Sequence, residues 1–137
     1  ANLMQAQLHM SEGPSENAIK WNETITMVNF AQTLLHNMAI LHVDQEVGNF
    51  VPFGLLVTGA HFYAYEKVAM GRRKYGNKMG AIASAAGLGF YTWRRIYRQR
   101  ALYSKSINSF LAVMTIPMGI YHTYYWWALP TDTVFNQ

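Results

Sequence analysis

Four stretches of the chain contain no Asp, Glu, Lys or Arg: residues 24–43, 50–65, 79–93 and 107–129. In the first, Asn29, Gln32, Thr33, His36 and Asn37 share one helical face, opposite Met27, Val28, Leu34, Leu35, Met38 and Leu41. That period predicts an amphipathic helix over about 24–43, capped by Asn22 or Thr24 and suited to a membrane surface or a partner. The second stretch is apolar, with Pro52 placed for a helix start, and predicts a helix over 52–70. The third predicts a helix over 79–97. The fourth predicts one over 107–129, capped by Ser106 and kinked at Pro117.

The segments between are polar. Residues 1–23 form a polar extension, and 71–78 and 94–105 are expected as basic loops, the former broken by Gly71 and Gly76. A helix needs about 20 predominantly apolar residues to cross a bilayer. The expected fold is therefore an all-α integral membrane protein, one helical domain over 1–137 with three to four hydrophobic helices. The run at 79–93 is short for a span unless Lys78 and Arg94 reach outward to the headgroups.

Composition sharpens this expectation. Hydrophobic residues make up 51% and charged residues only 13%, about half the usual share for a soluble domain. Cysteine is absent, which excludes disulfides, thiolate metal sites and a cysteine nucleophile. Net charge is +4, with five of the seven acids before residue 47 and ten of the eleven bases between Lys67 and Lys105.

Those bases are the first candidate chemistry. Arg72, Arg73, Lys74 and Lys78, then Arg94, Arg95, Arg98, Arg100 and Lys105, flank apolar runs, where cations bind anionic headgroups such as cardiolipin. Tyr97 and Tyr103 interleave the second group, but its position beside apolar segments argues for lipid over nucleic acid. Both basic segments cannot lie on one side if 79–93 fully crosses, which favours a subunit wedged into a larger complex over a self-sufficient channel.

Small residues at Gly80, Ser84 and Gly87, and at Ala81, Ala85 and Gly89, suit close helix packing. The glycines lack the Lys-Ser/Thr ending of a phosphate-binding loop. Tyr121, Tyr124, Tyr125, Trp126 and Trp127 form an aromatic belt of the kind found at membrane interfaces. His61 and His122 lie within apolar runs and are the candidate ligands for a haem; otherwise no cofactor, metal or catalytic constellation is expected.

Residues 51–87 resemble the hypoxia-induced-gene-1 domain of mitochondrial inner-membrane proteins. The resemblance rests on Pro52, Gly54, Thr58, Gly71, Met79 and Gly87; where that family carries arginines and a glutamine, this chain has Gly80, Ile82 and Ala86. It implies association with cytochrome c oxidase and respiratory supercomplexes. The expected function is a non-catalytic accessory subunit of a respiratory-chain complex in the mitochondrial inner membrane, contacting other subunits and anionic lipids. The alternatives are an ATP synthase accessory subunit, a haem- or quinone-binding anchor, and a small transporter.

Overall fold

The computed structural model describes residues 14–43, 51–97 and 102–132, which form four helices. These are α1 (Glu16–Val43), α2 (Val51–Ala69), α3 (Arg73–Tyr97) and α4 (Leu102–Ala128). Each helix packs against the next in sequence, and α4 returns against α1. That closed ring is an antiparallel four-helix bundle, the arrangement short connections impose.

Three boundaries differ from expectation. The helix α1 begins eight residues earlier than 24, because Ser15 is its cap: Ser15 Oγ accepts the Ala18 amide at 3.2 Å. Residues 16–23 of the expected polar extension are thus helical, and Asn22 is fully buried. Segment 71–78 is helical from Arg73 onward. Gly71, at φ 94°, ends α2: its amide bonds Val68 O at 3.0 Å while the Arg72 amide bonds Lys67 O at 2.9 Å. Gly76 breaks nothing and lies buried inside α3. The expected loop at 94–105 is helical at 94–97 and 102–105; Arg98 and Arg100 lie outside the described residues. Helix α4 continues through Pro117, which faces outward.

The start of α3 and the end of α4 cap one another. Asp132 accepts the amides of Lys74 and Tyr75, each at 3.0 Å, placing a carboxylate on the positive end of α3. Lys74 Nζ donates to Trp126 O at 2.6 Å and Leu129 O at 3.1 Å, satisfying carbonyls at the end of α4. Asp132→Ala is expected to lower stability by about 1–2 kcal/mol, read as an earlier thermal unfolding midpoint of the full chain.

Taken singly, no helix among the described residues is long and apolar enough to cross a membrane. The expected spans over 52–70, 79–97 and 107–129 are thus not found: buried polar side chains such as His61, Asn77, Asn108 and His122, and exposed charges such as Glu66 and Arg95, lower the hydropathy of these helices.

Candidate functional site: a polar bundle core

The interior has the chemistry normally found on a surface. Asn22, Thr26, Asn29, Thr33 and Asn37 form the buried seam of α1, at spacings of three and four. They face Thr58 and His61 on α2, Asn77, Ser84 and Arg94 on α3, and Asn108, Thr115 and His122 on α4. Three- and four-residue steps keep such a set on one stripe of a helix. Apolar core residues are fewer, with Ile40, Val57, Tyr91, Ile107 and Leu111 forming one cluster.

Two hydrogen-bonded networks occupy this core. The first joins α1, α3 and α4. Asn22 and Asn77 pair reciprocally, amide to carbonyl, at 3.0 and 2.9 Å. Asn22 Nδ2 also reaches the Tyr121 hydroxyl at 3.2 Å. His122 completes the set: its Nδ1 lies 3.0 Å from Asn77 Oδ1 and its Nε2 3.1 Å from Asn29 Nδ2. An amide oxygen accepts and an amide nitrogen donates, so the ring is the neutral tautomer protonated at Nδ1. Gly80 makes room for it; a Cβ there would lie 2.7 Å from the imidazole.

The second network centres on Arg94, which is 1% exposed. Its Nε donates to Asn108 Oδ1 at 2.7 Å and its Nη2 to Asn37 Oδ1 at 3.1 Å. Asn37 Nδ2 donates to Thr33 O, Thr58 Oγ1 and Tyr91 OH at 2.9–3.1 Å. The guanidinium also stacks near Phe90 and Tyr91, 4.9 and 5.4 Å from their centroids. Gly54 admits this cluster, since a Cβ there would meet Asn37 Oδ1 at 2.6 Å and Arg94 Nη1 at 2.9 Å.

His61, one turn from Thr58 on α2, is fully buried, and neither ring nitrogen makes a hydrogen bond among the described residues. His61 and His122 lie near enough to interact electrostatically. As a haem pair they fail on chemistry: both nitrogens of His122 are engaged by asparagine amides, leaving no lone pair for iron. The two histidines should respond oppositely to replacement. His122→Leu takes the acceptor from Asn29 Nδ2 and one of two donors from Asn77 Oδ1, and is expected to cost about 2 kcal/mol. His61→Leu removes an unpaired polar group and is expected to leave stability within about 1 kcal/mol of the parent or raise it. Thermal unfolding followed by circular dichroism reads both.

The expected lipid-binding cations divide. Arg94 is corrected outright, because it belongs to the core and cannot reach a headgroup. Lys74 is engaged by carbonyls of the α4 terminus. Arg72 stacks on Tyr75, Lys78 lies over Trp126, and Arg95 Nε bonds Ser109 Oγ on the exposed side. Lys105 and Arg73 are half-buried.

The small residues of α3 also divide. Gly76, Gly80, Ser84 and Gly87 face the bundle interior, whereas Ala85 and Gly89 are exposed and Ala81 is half-buried. The expected docking stripe is therefore mostly taken up by the chain's own helices. In the aromatic group, Tyr124 and Trp127 are exposed, Tyr125 and Trp126 are half-buried, and Tyr121 turns inward to Asn22. Sequence reasoning read Asn22 as a cap, where it is a buried residue inside α1, and missed Asn77 and Asn108. Their signal was the seven-residue spacing, two helical turns, that separates them from Asn29, Ser84 and Thr115.

The fold and site define an all-α bundle with a polar, hydrogen-bonded interior. The chain matches no protein family, no curated protein and no solved structure.

Proposed function

We propose that the chain is a non-catalytic, architectural subunit embedded in a membrane and packed into a larger complex. The observation that carries this reading is the inverted distribution of polarity. Thirteen polar or charged side chains among the described residues are buried, while twenty-two large hydrophobic ones are exposed. Exposed apolar residues are ordinary in water, but not together with a polar interior and an uncharged belt on all four helices. In hydrocarbon the pattern is favourable: the outer faces meet lipid, and the polar groups pair with one another.

The belt is thin. On α3 it covers fifteen residues, about 22 Å of helix against about 30 Å of hydrocarbon. Lys78 and Arg95 flank it, and the exposed Trp127 and Tyr124 mark one rim.

The architectural role follows from the hydrogen bonding. Both networks tie helices to one another, and among the described residues neither places a nucleophile beside a base. A respiratory-chain complex of the mitochondrial inner membrane, with cytochrome c oxidase or a supercomplex foremost, is supported by the resemblance over 51–87. Four of those positions have evident physical uses: Gly54 admits Arg94, Thr58 accepts from Asn37, Gly71 ends α2, and Gly87 packs on Thr115, Tyr91 and Val57.

Alkaline carbonate treatment of the native membranes tests embedding. The chain should remain in the pellet, and release into the supernatant defeats the reading. Native electrophoresis followed by mass spectrometry tests assembly, with co-migration in a large complex expected and a free monomer counting against it. A second reading, a small proton or solute conduit, is favoured by the unpaired imidazole of His61 between the two networks. It requires flux from the chain reconstituted alone, abolished by His61→Leu.

A further inference from the structure

An open cavity of about 570 Å³ runs along the outer seam of α3 and α4, walled by Ala81, Ala85 and Leu88 on one side and Ile116, Gly119 and Ile120 on the other. Its size is in the range of small-molecule sites. Two of the hydroxyls that line it are committed to their own helices: Ser84 donates to Gly80 O and Thr115 to Ala112 O. The other two, on Thr123 and Tyr124, lie at one end, so the length of the slot is apolar and suits a hydrocarbon chain.

One end of the seam is cationic. Lys78 lies one turn before Ala81 on the same stripe of α3, with its ammonium 5.8 Å from the Trp126 ring centroid. On α4, Trp126 and Trp127 lie one turn beyond Thr123 and Tyr124, which close that end of the cavity. A second cleft lined by Lys74, Lys78 and Trp126 lies there. Asp132 also lines it, but its two oxygens accept the amides at the start of α3. An apolar slot ending at a cation and an indole, at the rim of an uncharged belt, is complementary to an anionic amphiphile.

We propose that this seam binds one anionic phospholipid, an acyl chain along Ala81, Ala85 and Leu88 and the phosphate at Lys78 beside Trp126. The assignment rests on the membrane reading and names a partner for it. The seam would thereby be filled by lipid, and the adjoining subunit would meet that lipid and not bare helix.

Tryptophan quenching by brominated lipids tests it. The full chain is reconstituted in phosphatidylcholine vesicles carrying a minor fraction of brominated phosphatidylglycerol, or the same fraction of brominated phosphatidylcholine. The anionic lipid should be preferred about fivefold, the ratio one lysine near a charged headgroup supplies. Both Lys78→Gln and Ala85→Phe should abolish that preference; Ala85 is exposed, so the larger ring tests the slot and not the fold. Equal quenching by the two lipids overturns the site while leaving the membrane reading intact. No quenching even in fully brominated phosphatidylcholine overturns both. A preference lost in Lys78→Gln but kept in Ala85→Phe reduces the effect to surface charge and overturns the groove. A dimer or partner helix cross-linked through Ala85 in the presence of anionic lipid also overturns it.

Discussion

Gly76→Ala is expected to destabilise the full chain by about 3 kcal/mol or to prevent its folding. A Cβ at this position would lie 2.6 Å from Val68 Cγ2, 2.8 Å from the Val68 amide nitrogen and 2.9 Å from Ala64 O. Two of those atoms are backbone, and they belong to a helix already fixed by its own hydrogen bonds. The only relief is to push α2 and α3 apart, which also strains the turn at Gly71 and draws Asn77 away from Asn22. Within the same fold, a methyl group added at Gly59 or Gly89 would meet nothing within 4 Å. There the same substitution should stabilise by about 0.5–1 kcal/mol, because alanine loses less backbone freedom in a helix. Denaturant titration of the three variants under one set of conditions reads the contrast. A Gly76→Ala midpoint as high as that of Gly89→Ala would show that α2 and α3 are not in backbone contact at this level.

That contrast also explains how far the sequence alone could be read. The all-α architecture followed from four uncharged runs of helical length, which gave three to four helices where the structure has four. The polar stripe of α1 was legible as well, because three- and four-residue spacing survives in any single sequence. Its direction was not legible. A polar face on one helix and a histidine on another look alike whether they meet each other, water or a partner; only the ring of four helices brings Asn29 to His122 and Asn37 to Thr58.

Charge misled at the helix ends. Arg73, Lys74 and Lys78 read as loop residues, yet lysine and arginine are good helix formers and α3 starts among them under the carboxylate of Asp132. Arg94 read as a headgroup ligand because it adjoins Arg95 in sequence. In space the two point apart, since neighbours on a helix differ by about 100°. The spacing that reveals Arg94 as a core residue runs through Gly80, Gly87, Tyr91 and Arg94, at intervals of seven, four and three. The Gly80 and Gly87 positions were singled out as a packing stripe; continuing it four and seven residues past Gly87 reaches Tyr91 and the arginine.

Arg94→Met should cost about 3 kcal/mol, the largest effect expected from removing a side chain's polar group in this chain. Methionine replaces the volume of the stem but none of the donors. Asn108 Oδ1 and Asn37 Oδ1 would each lose a charge-assisted bond inside a core from which water is excluded. Reorientation of the asparagine amides would recover part of this, so the cost falls short of a wholly stranded pair. Arg94→Lys should recover only a fraction, because one ammonium cannot reproduce a planar fork bonded at Nε and Nη2. Arg95→Met, on the exposed side of the next position, should change stability by less than about 0.5 kcal/mol. Gly54→Ala should cost less than Arg94→Met, since its new methyl meets side-chain atoms of Asn37 and Arg94 that can shift, unlike the backbone facing Gly76. Thermal unfolding of the four variants orders them. If Arg94→Met and Arg95→Met melt together, the arginine does not hold α1, α3 and α4 to one another, and the polar core would be a consequence of the fold and not a cause of it.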